Sequence, residues 1–379
     1  MKMMPVTVMI KPASGLCNMR CRYCFYADET AKREVSSYGL MSAETQEAVT
    51  KRIMETAIYG CTIAFQGGEP TLAGLDFFHR QLELEKKYNV HHIKVNHAIQ
   101  TNGLLIDDEW AAFFAENGFL VGVSLDGRKQ LHDTYRVDAQ GKGTYSRVMR
   151  AIQILKNHNV EFNILSVLTE QGARSVRSTY GFFARNGLVW QQYIACLDPL
   201  GCEPGHTEYS LSVDGFEQYL KSVFDCWYQD AMAGKLRYHR YFFNIMSLML
   251  GRPPEACDMN GVCGTQYVVE ADGSTYPCDF YMLDEWRLGN LVTDSFEELD
   301  KKRGELRFIE LSAEALEHCR GCKWIGLCRG GCRRSREGIT GTPLGENYFC
   351  AAYKAFFEYA AERLTQMAGL IQSGRLKME

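Results

Sequence analysis

The chain has 379 residues, of which 46% are hydrophobic and 23% are charged, so its composition is that of a folded globular protein. Its formal net charge is −4, and it therefore has no overall basic field to attract nucleic acid. No apolar run is long enough to span a membrane, and the stretch before Lys11 is too short for a signal peptide. We expect a cytoplasmic protein that binds neither nucleic acid nor membrane, whose 15 cysteines are metal ligands rather than disulfides.

Apolar, β-branched stretches alternate with segments of helical periodicity as far as residue 195. The predicted strands are residues 7–10, 61–65, 95–100, 119–123, 162–168 and 190–195. Helices are predicted at residues 43–59, 75–88 and 145–158, around Trp110, and between the last two strands. This alternation indicates a parallel sheet with right-handed crossovers, either a partial barrel or a doubly wound sheet. Further long helices are predicted at residues 216–233 and 241–250.

Polar or glycine-rich clusters follow these strands directly, at residues 17–24 and 66–70, at Asn102 and at Ser124. In a βα barrel the carboxyl ends of the strands form the face on which the active site is built. This placement favours the barrel and predicts that the four clusters converge.

Three cysteines follow the first predicted strand, in the spacing Cys17-x3-Cys21-x2-Cys24. Three thiolates leave one iron of a [4Fe-4S] cluster without a protein ligand and open to another molecule. The aromatic residues Phe25 and Tyr26 suit a loop that packs against a cofactor. The alternative is a zinc site with His91 or His92 as the fourth ligand.

A second group of cysteines lies in the C-terminal third of the chain. Its members are Cys257, Cys263, Cys278, Cys319, Cys322, Cys328, Cys332 and Cys350. The x2, x5 and x3 spacings between residues 319 and 332 favour a ferredoxin-type array, and eight thiolates complete two four-cysteine sites; two structural zinc ions are the alternative. The remaining cysteines, Cys61, Cys196, Cys202 and Cys226, are expected to be buried apolar residues.

These motifs together resemble a known family. The first cysteine motif, with Gly67-Gly68-Glu69-Pro70 after the second strand, resembles the radical S-adenosylmethionine superfamily. The later cysteines resemble its SPASM branch, and residues 10–14, 65–74 and 276–281 resemble the anaerobic sulfatase-maturating enzymes. The resemblance implies an α/β fold, a partial (β/α)6 TIM-like barrel followed by a cysteine-rich SPASM domain. We expect the barrel in residues 1–235, a helical linker in 236–256, the SPASM domain in 257–350 and a C-terminal helix in 351–379.

The resemblance also implies the cofactors, which are S-adenosyl-L-methionine and three [4Fe-4S] clusters. The open iron would bind S-adenosylmethionine, whose one-electron cleavage gives a 5′-deoxyadenosyl radical. By the same resemblance, the contacts to S-adenosylmethionine are Tyr23, Gly68, Ser124, Arg136 and Leu197. One auxiliary cluster would be held by Cys257, Cys263, Cys278 and Cys332, and the other by Cys319, Cys322, Cys328 and Cys350.

In this family the radical takes a hydrogen from Cβ of a cysteine or serine in an unfolded sulfatase, and the product is Cα-formylglycine. The resemblance assigns Asp279 as the general base that takes the thiol or hydroxyl proton, against the alternative of a solvated turn aspartate. Tyr26, Gln66 and Asn102 are the candidates for holding the substrate peptide. We expect a flavodoxin or ferredoxin type reductant and a monomeric enzyme.

Two other functions are compatible with the motifs. A SPASM peptide maturase would cross-link a ribosomal peptide through thioether or carbon-carbon bonds, or epimerise it. Many such enzymes carry a leader-binding domain before the first cluster, and since only sixteen residues precede Cys17, sulfatase maturation is favoured. A zinc-braced binding protein without turnover is the third candidate, and metal and sulfide analysis distinguishes it from the other two.

Overall fold

The structure is a computed structural model that describes residues 6–338 and 343–377. Its strands are β1 (Val6–Ile10), β2 (Cys61–Phe65), β3 (Val95–Thr101), β4 (Leu120–Ser124), β5 (Phe162–Leu168), β6 (Trp190–Ala195), β7 (Tyr238–His239), β8 (Tyr267–Val269), β9 (Ser274–Tyr276) and β10 (Gly289–Asn290). Its α-helices are α1 (Phe25–Ala31), α2 (Ala43–Thr56), α3 (Leu75–Tyr88), α4 (Asp108–Glu116), α5 (Lys129–Tyr135), α6 (Tyr145–Asn157), α7 (Glu170–Arg174), α8 (Val176–Arg185), α9 (Val213–Met232), α10 (Arg240–Met249), α11 (Phe296–Glu305), α12 (Phe308–Glu314), α13 (Ile325–Cys328) and α14 (Cys350–Gln372).

The chain divides into two compact units. The first contains the described residues of Met1–Ser124, together with Arg136–Phe162 and Thr265–Phe308; the second contains Leu125–Tyr135, Asn163–Gly264 and the described residues of Ile309–Glu379. Among the described residues, none of the helices combines the length and the apolar character that crossing a membrane requires. The domain boundaries drawn from the sequence remain a prediction.

In the first unit the strands pair in the order β10-β9-β8-β1-β2-β3-β4. The pairs from β8 through β1 to β4 are parallel, with Val6 opposite Cys61 and Cys61 opposite Val95. β9 and β10 continue the sheet in antiparallel pairing. Because β1 to β4 run in the same direction, the loops that follow them leave from one edge of the sheet. This is the edge on which the predicted polar clusters lie.

Aromatic side chains fill the core of the first unit. Phe65 of β2 lies with its ring centroid 5.0 Å from that of Phe78 on α3, and Phe78 lies 5.3 Å from Trp110 on α4. All three side chains are buried. Asp107 accepts a hydrogen bond from the backbone N–H of Trp110 and so caps α4 at its N-terminus. The cap begins the helix at the point where its apolar face reaches the sheet.

In the second unit β5 pairs with β6, and β6 with β7, all in parallel. Its core is built from α9, α10 and α14 around Trp227, Phe224, Phe242 and Phe356, which are buried completely. The indole N–H of Trp227 donates a hydrogen bond of 2.9 Å to the carbonyl oxygen of Arg237, so its polar atom is satisfied inside the core.

The six predicted strands and the long helices are confirmed, and their ends either coincide with the predicted ones or differ by up to three residues. The short strands β7 to β10 were not predicted, because two or three residues are too few to show a period. The expectation that four cysteines are buried was wrong in part. Cys61 and Cys196 are buried, but Cys226 is half-buried and Cys202 is exposed in the turn where its N–H donates to the carbonyl of Pro199.

Buried His239 makes the stability of the second unit dependent on pH. Its ring stacks on Phe242 with a centroid distance of 4.3 Å, and burial lowers the pKa of His239 to about 3. Below about pH 6.5 the histidine binds a proton in the unfolded chain but stays neutral in the folded chain. Stability is therefore lost as the pH falls from about 6.5 towards 3. We expect this residue alone to cost about 1 kcal/mol of unfolding free energy between pH 6.5 and 5.5.

Chemical denaturation of the wild type and of His239→Gln at the two pH values measures this cost. The variant should lose less stability than the wild type over that interval. His206→Gln removes an exposed histidine of the same unit and should leave the pH dependence unchanged. Equal pH dependence in the wild type and His239→Gln would show that the histidine is not responsible.

Candidate active site

The three cysteines of the first motif lie on the loop between β1 and α1, and Cys24 is the residue that precedes the first turn of α1. The sulfur of Cys17 accepts hydrogen bonds from the backbone N–H of Met19, at 3.4 Å, and from Nδ2 of Asn102, at 3.8 Å. Burial raises the pKa of the Cys17 thiol to about 11, so iron must displace a proton when it binds. Amide donors directed at sulfur suit the thiolate ligand of an iron-sulfur cluster.

The loop after β2 is fastened to the cysteine loop by its backbone. The N–H of Gly68 donates to the carbonyl of Ser14 at 2.9 Å, and the N–H of Glu69 donates to that of Leu16 at 2.8 Å. Any side chain at position 68 would put Cβ 2.0 Å from the carbonyl oxygen of Leu16. Only glycine permits this approach.

Glu69 ties the same loop to the end of β3. Its carboxylate accepts hydrogen bonds of 2.7 Å from the hydroxyl of Thr101 and from the backbone N–H of Asn102. Burial raises the pKa of Glu69, although these hydrogen bonds act in the opposite direction. The loops after β1, β2 and β3 therefore converge, as their position after the strands predicted. No role had been assigned to Glu69 from the sequence.

The close approach at Gly68 gives a testable prediction. Gly68→Ala must displace the backbone of residues 15 and 16, next to Cys17, so we expect the variant to lose most S-adenosylmethionine cleavage, at least about tenfold. Release of 5′-deoxyadenosine by the reduced enzyme measures the loss. Gly304→Ala is the control, because it lies in α11 with no atom within 4 Å of an added Cβ; cleavage by Gly68→Ala at the rate of this control would contradict the prediction.

Of the predicted cofactor contacts in the first unit, Tyr23, Ser124 and Arg136 are buried and Gly68 is half-buried. The guanidinium of Arg136 lies 4.0 Å from the sulfur of Cys21 and 5.4 Å from the ring centroid of Tyr23. Arg136 is 6% exposed, which excludes a surface arginine. Ser124, at the end of β4, accepts a hydrogen bond of 3.1 Å from Gln100. Leu197 belongs to the second unit, where it is half-buried two residues after β6.

Asp279 is a buried carboxylate whose two oxygens are both held. Nζ of Lys11 lies 2.5 Å from Oδ1, and Nε2 of Gln66 donates to Oδ2 at 2.8 Å. Lys11 is completely buried and Asp279 is 8% exposed, which excludes a solvated turn aspartate. Asp279 thus forms an ion pair with Lys11 and accepts a second hydrogen bond from Gln66 inside a largely buried site.

A second buried ion pair supports the first. The hydroxyl of Tyr26 donates to Glu270, and Nη1 of Arg33 lies 2.6 Å from the same carboxylate. Nζ of Lys11 stands 3.7 Å above the ring centroid of Tyr26, within the range of a cation–π contact. Burial, followed by the charge of Glu270, raises the pKa of Tyr26 well above its ordinary value. Tyr26 therefore remains a neutral phenol between the two ion pairs.

Sequence reasoning gave no role to Lys11, Glu270 or Arg33. For two of them a signal was present, since Lys11 follows the apolar strand β1 directly and Glu270 follows the apolar strand β8. An ionisable residue that directly follows a largely apolar strand lies at the edge of the sheet where the site is built. Arg33 lies two residues beyond α1 and has no such signal.

The structure brings together one of the two predicted auxiliary ligand sets. Cys319, Cys322, Cys328 and Cys350 all line one cavity of the second unit, together with Tyr353 and Gly330. Cys257, Cys263 and Cys332 belong to this unit too, whereas Cys278 belongs to the first. Within the described residues no three His, Cys, Asp or Glu side chains are close enough to hold a single metal ion.

Family models and relatives agree with this geometry. The model of the radical SAM superfamily matches residues 12–183, and the model of the SPASM iron-sulfur cluster-binding domain matches residues 257–323. A cysteine-type anaerobic sulfatase-maturating enzyme of Clostridium perfringens is 46% identical over 98% of this chain and 100% of its own. A serine-type enzyme of Bacteroides thetaiotaomicron is 30% identical over 94% of this chain and 90% of its own.

A solved structure of native anSMEcpe with bound AdoMet and Cp18Cys peptide matches with a TM-score of 0.93 and 46% identity, covering 97% of this chain and 100% of that one. The predicted fold class, a partial barrel followed by a SPASM domain, is confirmed, and so are S-adenosylmethionine and [4Fe-4S] clusters as cofactors. The chain belongs to the anaerobic sulfatase-maturating enzymes, the family of radical S-adenosylmethionine oxidoreductases that its motifs resemble.

Proposed function

We propose that this enzyme oxidises a cysteine of an unfolded sulfatase polypeptide to Cα-formylglycine. The observation that carries the proposal is the buried Asp279 carboxylate, which the structure holds in the same unit as the three-cysteine loop. When bound, S-adenosylmethionine and its cluster supply the 5′-deoxyadenosyl radical that takes one hydrogen atom from Cβ of the substrate. The residues of this chain must then hold the peptide and accept a proton.

The cofactor contacts remain a proposal with physical support. Cys17, Cys21 and Cys24 would hold the first cluster, since all three are half-buried on one loop and the sulfur of Cys17 accepts hydrogen bonds from two N–H donors. Arg136 would pair with the carboxylate of S-adenosylmethionine, because a guanidinium fork matches a carboxylate. The family resemblance adds four contacts to S-adenosylmethionine, which are Tyr23, Gly68, Ser124 and Leu197.

Asp279 would take the proton of the substrate thiol. Oxidation of the CH2–SH group to an aldehyde removes a hydrogen atom from carbon, a proton from sulfur and one electron; water then replaces the sulfur, which leaves as sulfide. The auxiliary clusters, which cysteines between residues 257 and 350 would hold, would supply an acceptor for this electron. Since Lys11 and Gln66 fix both carboxylate oxygens, the remaining lone pairs of Asp279 have a defined direction for accepting the proton.

Tyr26, Gln66 and Asn102 remain our candidates for the substrate site. Gln66 is half-buried and holds Asp279 through its amide nitrogen, so its amide oxygen is the atom available to a peptide N–H. Asn102 directs its amide nitrogen at Asn18 and Cys17. Tyr26 is 3% exposed and would act by shaping the floor of the site.

The preference for cysteine is supported by the relatives, because a cysteine-type enzyme is 46% identical and a serine-type enzyme 30% identical. A pair of peptides that differ only in cysteine or serine at the modified position, incubated anaerobically with S-adenosylmethionine and reductant, tests it by mass spectrometry. In the cysteine peptide, aldehyde formation replaces sulfur and two hydrogens with one oxygen. We expect this reaction to be faster than aldehyde formation in the serine peptide. Aldehyde from neither peptide, with S-adenosylmethionine cleaved, would refute the proposed function.

We also propose a flavodoxin or ferredoxin type protein as the electron donor and a monomeric enzyme in the cytoplasm. The cytoplasmic assignment is supported by 15 cysteines, which a reducing compartment keeps available as ligands. The monomer is tested by light scattering of the anaerobic holoenzyme.

A further inference from the structure

Arg336 is a buried cation of the second unit, and no carboxylate among the described residues forms an ion pair with it. The residue is 3% exposed, and its guanidinium is held by carbonyl oxygens, with Nε 3.0 Å from that of Gly330 and Nη1 3.5 Å from that of Ser312. Its Nη2 is buried and finds no hydrogen-bond partner in the part of the chain that the structure describes. An isolated buried charge is strongly unfavourable unless an opposite charge is present.

Its neighbours are placed differently. Arg333, also buried, lies 3.5 Å from the carboxylate of Glu337, and Arg334 donates to the carbonyl of Asp198 at 2.6 Å. Arg336 differs from Arg333 in forming no ion pair with a described carboxylate, and from Arg334 in having Nη2 buried without a hydrogen-bond partner among the described residues. The backbone makes room for this group, since an added Cβ on Gly330 would lie 2.0 Å from Nη2.

The cysteines around Arg336 belong to both auxiliary ligand sets. Gly330, which its guanidinium contacts, lies in the chain between Cys328 and Cys332 and lines the cavity of Cys319, Cys322, Cys328 and Cys350. Ser312, its other partner, accepts a hydrogen bond of 2.9 Å from the backbone N–H of Cys263.

We propose that Arg336 is the buried counter-cation of the auxiliary clusters and raises their reduction potentials. A [4Fe-4S] cluster with four thiolates is an anion, and it gains one more negative charge when it takes an electron. A fixed cation in a buried site therefore stabilises the reduced form more than the oxidised form. Arg336 makes the clusters better acceptors for the single electron that oxidation of the substrate releases. This inference rests on the proposed clusters but not on the identity of the peptide substrate.

Potentiometric titration followed by electron paramagnetic resonance tests the inference in the full chain carrying Cys17→Ala, Cys21→Ala and Cys24→Ala, in which the signals come from auxiliary clusters alone. Arg336→Gln should reduce the equilibrium constant for one-electron reduction of at least one auxiliary cluster by about tenfold or more, a fall of about 59 mV. Arg336→Lys keeps the charge and should stay near the parent potential. Arg320→Gln removes a charge beside Cys319 whose side chain is 80% exposed, and should also stay near it, because water screens it.

Each result of this comparison decides the question. An unchanged potential in Arg336→Gln, or an equal fall in Arg336→Gln and Arg336→Lys, would overturn the proposal. If Arg336→Gln fails to retain iron, the proposal requires Arg336→Lys to retain it; loss of iron from both would show that packing rather than charge matters. Absence of auxiliary iron and sulfide from the parent protein itself would instead refute the cluster assignment.

Discussion

Asp279→Asn should retain S-adenosylmethionine cleavage and lose almost all formylglycine formation. The substitution preserves the shape and one accepting oxygen but removes the proposed acceptor for the thiol proton, so we expect aldehyde formation to fall by about 10²–10⁴-fold. Peptide aldehyde and 5′-deoxyadenosine, measured in the same anaerobic reaction, report the two effects separately. The ratio of aldehyde to 5′-deoxyadenosine should fall by the same factor, while the iron and sulfide contents stay at the wild-type level.

The control for this experiment is Asp284→Asn. Asp284 lies in the same unit, five residues further along the chain, but it is exposed, and its carboxylate accepts a hydrogen bond from the backbone N–H of Glu34. Its replacement should leave the ratio unchanged. Wild-type aldehyde formation by Asp279→Asn would remove this residue as the base.

Lys11→Met should destabilise the enzyme by about 3–5 kcal/mol, because it leaves the carboxylate of Asp279 buried without its cation. The residue is completely buried, and the ammonium also contacts the ring of Tyr26. The unfolding free energy from chemical denaturation measures the effect. Lys51→Met is the matched control, since Lys51 is exposed in a pair with Glu55 at 3.8 Å and should change stability by less than about 1 kcal/mol.

The double variant Lys11→Met with Asp279→Asn separates stability from chemistry. Replacing both members of a buried ion pair removes the uncompensated charge, so we expect it to recover most of the lost stability. Aldehyde formation should nevertheless stay as low as in Asp279→Asn. A double variant no more stable than Lys11→Met would show that the charge of Asp279 is not the source of the destabilisation.

Those parts of the molecule that follow from local pattern were predictable from the sequence. The spacing of apolar residues located β2, β5 and β6 at their observed bounds, and the position of polar clusters after strands predicted that Cys17, Gly68 and Asn102 converge. The family resemblance then supplied the cofactors and Asp279, which no spacing rule could have selected from 46 acidic residues.

The electrostatic environment of the site was not predictable in the same way. The pairs Lys11–Asp279 and Arg33–Glu270 join residues 268 and 237 positions apart, and no local pattern records which distant strands become neighbours. Here β8 pairs with β1, and this pairing places Glu270 and Asp279 in the same unit as Lys11 and Tyr26. Arg336 was missed for a related reason, since its burial depends on tertiary packing around Gly330.

The central claim is that the radical removes hydrogen from Cβ of the substrate cysteine in this enzyme. A sulfatase peptide with deuterium at Cβ of that cysteine, incubated anaerobically with S-adenosylmethionine and reductant, tests it by mass spectrometry of the released 5′-deoxyadenosine. We predict one deuterium in the 5′-deoxyadenosine for each aldehyde formed. Aldehyde formed without deuterium in the 5′-deoxyadenosine would contradict the account.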